Sequence, residues 1–245
     1  MIKLPLEEHA FFRRLADLIA EVIRDTTAGD SGGDDPFRAT RPERPEEVYL
    51  RAVFLAAAEL MQLLQQMSYT PAFLASYRAT PALKKLGVTR FEYLVYQLEN
   101  WFIRCTALSD RALILANSVC QLGFRPQDCK LTLITTNAHV RGTDLHPALR
   151  ALDKHVNAVR PVRNSIAHQR RLRPEGWDHL EGVAILAHID PSAVPARFLK
   201  RLLDNAVVEQ RTQISDYLST AISLTGDLFS SLHPQFNANY ARDAA

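Results

Sequence analysis

From Phe91 to Val119 the chain reads FEYLVYQLENWFIRCTALSDRALILANSV. Leu94, Leu98, Trp101, Cys105, Leu108, Ala112, Leu115 and Val119 recur at alternating steps of four and three. That 3.5-residue seam predicts one long helix packed along a partner. Thr89 is placed to cap its start and Gly123 to follow its end. Periodicity leaves two uses for such a seam open, an intramolecular core or the face of a dimer.

On both sides the pattern stays helical. VYLRAVFLAAAELMQLLQQM, from Val48 to Met67, consists of good helix formers and is expected to stop before Pro71, with a shorter helix from about Pro71 to Leu86. Upstream, Phe11, Leu15, Leu18, Ile19 and Val22 share one face of a helix expected from about Leu6 to Arg24. The stretch Thr26–Glu47 holds three of the nine glycines and three prolines, a composition suited to a flexible linker. Downstream, 125–143 reads as an irregular segment; its Thr and Ile content fits a short strand, but the balance lies with irregular helix. Leu145–Arg173 is helical, with Pro161 either kinking it or opening a new segment at its first turn. A short helix at Trp177–Ala187 and a long one at Pro195–Leu232 follow. The expectation is an all-α helical bundle with two long helices, organised as an N-terminal amphipathic helix (1–25), a linker (26–47), a helical domain (48–232) and a frayed tail (233–245).

Composition excludes several classes. With 9 glycines in 245 residues, the chain lacks the turn residues of an all-β fold. Basic and acidic residues nearly cancel, 29 against 27, so a nucleic-acid surface would have to be a local patch. The three cysteines (Cys105, Cys120, Cys129) form neither a disulfide framework nor a CxxC zinc clamp. Charged residues interrupt the N-terminal apolar positions, and nowhere do about 18 apolar residues run together. A soluble, cytoplasmic protein with no membrane partner is expected.

Known catalytic signatures are missing too. There is no Gly-rich phosphate loop, GKS or GKT, HExxH, nucleophile elbow or EF-hand loop, and no metal or cofactor is expected. The carboxylate pairs Glu7–Glu8, Asp34–Asp35 and Glu46–Glu47 fall at helix starts or in the linker, where dipole and solvent favour them. Cys129 with His139 has the composition of a nucleophile and base, although a buried structural cysteine is the commoner use.

One constellation remains: Arg160-Pro-Val-Arg163-Asn164-Ser-Ile-Ala-His168-Gln-Arg170-Arg171-Leu-Arg173, five arginines around one histidine. On a helix Asn164 and His168 lie one turn apart on one face. Arg163 sits roughly 140° away but is long enough to bring its guanidinium towards the imidazole. Arginine with histidine five positions on occurs three times in the chain, the other copies being Arg141–His146 and Arg150–His155. Only the Arg163 copy has asparagine directly after the arginine, for which chance gives about 0.02 occurrences.

The chemistry those three residue types support is RNA cleavage without a metal. Surrounding cations disfavour the charged imidazole, leaving His168 able to take the ribose 2′-OH proton as general base, or to act as acid from the other side. Arg163 would hold the scissile phosphate and stabilise its growing charge, and Asn164 would orient the histidine or the ribose. Arg160, Arg170, Arg171 and Arg173 would bind RNA phosphates. Attack by the 2′-oxygen leaves a 2′,3′-cyclic phosphate and a 5′-hydroxyl, and DNA cannot supply that oxygen.

These residues resemble the HEPN superfamily (higher eukaryotes and prokaryotes nucleotide-binding domain), whose signature is Arg, a short spacer and His, in many members with Asn after the Arg. Arg163, Asn164 and His168 match residue by residue. The long helix before the motif and LDKHVNAVRPVRNSIAHQRRL, which carries it, are similar to bacterial members; the resemblance covers about Val48 to Leu232. It implies a HEPN-like helical bundle and a homodimer whose two motifs face each other across a groove as a composite endoribonuclease site. Toxin–antitoxin, abortive-infection or CRISPR-linked defence is the implied setting, with RNA as substrate, tRNA included, and an antitoxin or defence partner. Some members are catalytically silent, so the alternative is a non-catalytic nucleic-acid or nucleotide-binding protein, or a helical scaffold. One subclass carries Tyr two residues after the His, where a nucleotidyltransferase modifies it; Arg170 stands there, so that arrangement is not expected. Members often set an acidic or polar residue of an earlier helix against the motif, for which Glu99 and Asp110 are the candidates.

Overall fold

The computed structural model describes residues 4–28, 44–168, 177–190 and 192–244, without the side chains at 26–28, 167, 168 and 178. The linker expected at 26–47 therefore lies mostly outside the described residues. Among them are nine α-helices and no strand: α1 (Ala10–Ala28), α2 (Pro45–Ala75), α3 (Pro81–Lys85), α4 (Arg90–Val119), α5 (Leu131–Thr136), α6 (Leu145–Asn157), α7 (Arg160–His168), α8 (Trp177–Ile189) and α9 (Ala196–Asp243). Short 3₁₀ turns occupy Pro5–Glu8 and Pro126–Asp128. No helix among the described residues is long and apolar enough to cross a membrane.

The all-α expectation holds, but three helices are long rather than two, with 31, 30 and 48 residues in α2, α4 and α9. Two helices run further than expected, each through a proline. α2 continues through Pro71 to Ala75, because Met67, Thr70 and Leu74 around the proline are all buried. Their burial outweighs the roughly 3 kcal/mol that an interior proline costs a helix. The expected helix at 71–86 therefore shrinks to α3, whose Thr80 accepts the Leu83 N–H at 3.3 Å.

The tail expected to fray from 233 is helical to Asp243, passing Pro234 in the same way. Phe236 beyond that proline is fully buried. Helix α2 also begins earlier than the linker composition implied, at Pro45, where the Glu47 carboxylate accepts the Arg44 N–H at 3.0 Å. The long helix expected over 145–173 is broken at 158–159, so Pro161 opens a segment rather than kinking one.

The chain forms two compact units. The first comprises Met1–Gln65, Ala107–Val156 and Ala221–Ala245. Phe11 of α1 meets Phe229 and Phe236 of α9 with ring centroids 5.1 and 5.6 Å apart, and Phe236 stacks on Tyr49 of α2 at 5.9 Å. The last carbonyls of a helix lack partners within it. In α4 that of Val119 accepts both the Tyr49 hydroxyl at 3.0 Å and the Asn239 amide at 2.7 Å, tying α2, α4 and α9 together. Leu145, Leu149, Leu152 and Val156 of α6 are buried at steps of four and three.

The second unit comprises Gln66–Thr106 and Asn157–Thr220. Trp101 of α4 lies edge-on to Tyr217 of α9 at 5.1 Å, and Phe91 meets Trp177 of α8 at 6.0 Å. Arg90 pairs with Asp204 at 2.7 Å. Thr89 and Glu92 close a reciprocal capping box, Glu92 accepting the Thr89 N–H at 2.8 Å and Thr89 the Glu92 N–H at 3.2 Å.

All eight seam residues of α4 are buried within the single chain. The choice left open by the sequence is settled for this helix, whose seam is intramolecular core.

Candidate functional site

α7 is the local consequence of its sequence. Pro161 fixes φ in the first turn, where a missing N–H costs nothing, and Arg163 N–H donates to the Val159 carbonyl at 3.1 Å. Val162 and Ile166, one turn apart, are half-buried and seat the helix. None of the described side chains between Arg160 and Ile166 is fully buried. α7 therefore presents polar groups instead of filling a core.

Arg163 and Asn164 come together: Arg163 Nη1 donates to Asn164 Oδ1 at 3.1 Å. Asn164 is exposed and Arg163 half-buried. The bond uses one lone pair of the amide oxygen and leaves the NH₂ group to donate towards a ribose or phosphate oxygen. His168 is the last residue of α7, one turn beyond Asn164; its imidazole lies outside the described side chains, as do Arg170, Arg171 and Arg173 altogether. Arg160 is half-buried and makes an interaction of its own. From Arg160 to His168 the helix carries no carboxylate, so nothing on it neutralises the two guanidinium groups.

The remaining candidates fall elsewhere. Glu99 belongs to the same unit as α7, is half-buried and is already engaged; Asp110 is exposed and belongs to the other unit. The Cys129 thiol donates to the Arg125 carbonyl at 3.6 Å, and burial, with the Asp128 carboxylate second, pushes its pKa up. His139 is exposed. Cys129 is thus a protonated structural thiol. Burial likewise pushes Cys120 up to about 11 and raises Cys105. In the two discounted Arg–His copies, His146 Nε2 accepts Arg150 Nε–H at 3.1 Å across one turn of α6. Of the carboxylate pairs, Glu7 and Glu47 do serve helix starts, each accepting the N–H three residues back.

Sequence reasoning missed a cavity of about 260 Å³ in the second unit, between Gln66, Tyr69, Thr70 and Phe73 of α2 and Tyr96, Gln97, Asn100 and Arg104 of α4. The available signal was helical spacing, since 66, 69, 70 and 73, and again 96, 100 and 104, each share a helix face beside the apolar seam.

A helical domain, with no strand among the described residues, that sets Arg, Asn and His along one short helix has the make-up of a HEPN domain. The chain belongs to the Cthe2314-like HEPN family, whose model matches residues 49–188. The match spans α2 to α8 and takes in all of α7, while α1 and α9 fall outside it. It is thus shorter at its C-terminal end than the resemblance read from the sequence, which reached Leu232. The superfamily is one of ribonucleases and RNA-binding proteins. No match is found among curated proteins or among solved structures.

Proposed function

We propose that this protein is a metal-independent endoribonuclease that cleaves RNA by attack of the ribose 2′-oxygen on the adjacent phosphorus. The observation that carries the reading is α7 itself, where an arginine is braced against an exposed asparagine that precedes the histidine by one turn in a HEPN domain. In the first half of the step His168 accepts the 2′-OH proton while the 2′-oxygen forms its bond to phosphorus. In the second half the bond to the 5′-oxygen breaks and that oxygen takes a proton from an acid. One 2′,3′-cyclic phosphate and one 5′-hydroxyl result, with protons balanced. Arg163 holds the phosphate and meets its growing negative charge; Asn164 orients the ribose or the imidazole. Arg160, Arg170, Arg171 and Arg173 supply phosphate contacts that position the strand.

Two copies of the chain would give the acid and the base from two imidazoles across a shared groove. With the α4 seam buried, the contact between copies falls to exposed surface, α7 included. In a toxin or anti-phage setting, cleavage of host RNA would stop growth, and expression of wild type but not of His168→Ala would arrest cells.

End-labelled tRNA and an unstructured RNA incubated in EDTA with wild type and with His168→Ala test the chemistry. Cyclic-phosphate ends from wild type alone are expected. Cleavage that survives in His168→Ala, or that leaves a 3′-hydroxyl, overturns the assignment.

A further inference from the structure

The second unit leaves unusual side chains around the cavity between α2 and α4. Phe73 and Tyr96 are 44% and 63% exposed, high for aromatic rings on a helical bundle. Tyr69 and Phe73 stand edge to face with centroids 6.2 Å apart, giving an apolar wall. Opposite them Arg104 is half-buried. Its Nε donates to the Gln66 amide oxygen at 3.4 Å and its Nη1 to the Asn100 carbonyl at 3.2 Å, both neutral acceptors. Among the described residues Arg104 has no carboxylate partner. A guanidinium drawn partly out of water and held only by neutral groups keeps an unanswered charge that an anion would satisfy.

The neutral polar groups are equally available. The Gln97 amide and the Tyr69 and Tyr96 hydroxyls have no hydrogen-bond partner among the described residues. An amide offers a donor and an acceptor side by side, as the edge of a nucleobase does. At about 260 Å³ the cavity falls below the roughly 300 Å³ at which sites for drug-sized ligands begin, so its scale suits one planar base. Aromatic faces, base-edge amides and a cation for phosphate are the parts from which single-stranded nucleic-acid sites are made.

A second cavity of about 470 Å³ shares Tyr96 and Gln97 with the first and is lined further by Leu83, Leu86, Val88, Glu92 and Tyr93. Leu86 is 75% exposed there. Two adjoining pockets divided by one exposed tyrosine suit neighbouring bases of one strand better than a lone nucleotide.

We propose that the α2–α4 groove is a binding track for single-stranded RNA, in which Tyr96 stacks between two successive bases, Gln97 reads a base edge and Arg104 takes the connecting phosphate. The choice of RNA as the strand rests on the ribonuclease reading; the groove's binding is measurable without it.

The test uses full-length His168→Ala, so that cleavage does not consume the probe, and a fluorescent single-stranded 12-mer RNA followed by anisotropy. Tyr96→Ala weakens binding about tenfold, the loss expected for one stacked base, while Tyr96→Phe retains it. Arg104→Gln lowers the slope of log affinity against log salt by about 0.7, one phosphate's worth on a single strand. Duplex RNA of the same sequence binds weakly, because its bases cannot be splayed onto the rings. A photoreactive 4-thiouridine in the 12-mer crosslinks to Tyr69, Phe73 or Tyr96. Melting curves matching the parent confirm that the variants are folded, which the exposure of Tyr96 leads one to expect.

Unchanged affinity in Tyr96→Ala, or crosslinks confined to residues outside α2 and α4, overturns the track. Competition by a mononucleotide as effective as the 12-mer makes it a free-nucleotide site and overturns the strand. Groove binding that follows these expectations in a protein whose wild type cleaves nothing removes the nuclease reading and leaves the track standing.

Discussion

Helices α4 and α7 spend their residues in opposite ways. α4 buries a leucine, valine, cysteine, alanine or tryptophan at every seam position for its whole length. α7 has no fully buried side chain among those described, and Val162 and Ile166 are only half covered. Each fully buried leucine contributes about 1.5–3 kcal/mol, so α4 is fixed by what it packs against, whereas the described side chains of α7, none fully buried, contribute less apiece. A helix that stabilises so little is free to carry groups chosen for chemistry. The braced Arg163–Asn164 pair belongs to that kind of helix, and the fold would survive without it.

The contrast can be broken most forcefully at α4. Leu108→Ala removes a side chain with no exposed surface and should cost about 2–5 kcal/mol, read as a fall in the urea midpoint. A loss under about 1 kcal/mol would mean that the seam is not the core it resembles. Asn239→Ala comes next. It deletes the 2.7 Å bond to the Val119 carbonyl that ends α4, while the Tyr49 hydroxyl still satisfies that carbonyl, and should cost about 0.5–1.5 kcal/mol, the net contribution of one hydrogen bond.

Acid acts more weakly, on the first unit. His9 caps α1, its Nδ1 accepting the Phe11 N–H at 3.2 Å while its Nε2 lies 3.1 Å from Ser230 Oγ. Burial, and then His233 beside it, holds its pKa below the ordinary 6.5. Folding therefore favours the neutral ring. Its contribution is complete above 6.5, where unfolded histidine is also neutral, and is lost as pH falls through the lowered folded value. The urea midpoint should drop between pH 7.5 and 5.5 in wild type and drop less in His9→Gln; equal drops would remove His9 from the account. Arg163→Ala sits at the bottom of the stability scale, within about 0.5 kcal/mol of wild type, and a larger loss would move α7 into the class of α4.

The seam of α4 was legible because eight apolar positions repeat without a gap, and Thr89 announced its start; the Glu92 half of the cap came from the structure. α7 was half legible: Pro161 marked a possible first turn, but only the structure separates it from α6. The stop expected at Pro71 and the frayed tail expected from 233 misled for one reason. A proline's local cost is visible in sequence, while the burial of Leu74 and Phe236 beyond it depends on helices far away along the chain. The same dependence hid the α2–α4 groove. Gln66, Tyr69 and Phe73 look like ordinary helix surface until Tyr96, Asn100 and Arg104 are brought opposite them. Of the candidate site, Arg163 and Asn164 are singled out by their spacing, and the structure adds their mutual hydrogen bond.

The claim that α7 carries chemistry and α4 carries the fold meets its most direct test in one preparation of His168→Ala. Single-turnover cleavage of unstructured RNA in EDTA and urea unfolding are measured on the same sample beside wild type. Cleavage lost with the unfolding midpoint unchanged is the predicted pair of results. Cleavage retained, or a midpoint that falls as it does for Leu108→Ala, would contradict it.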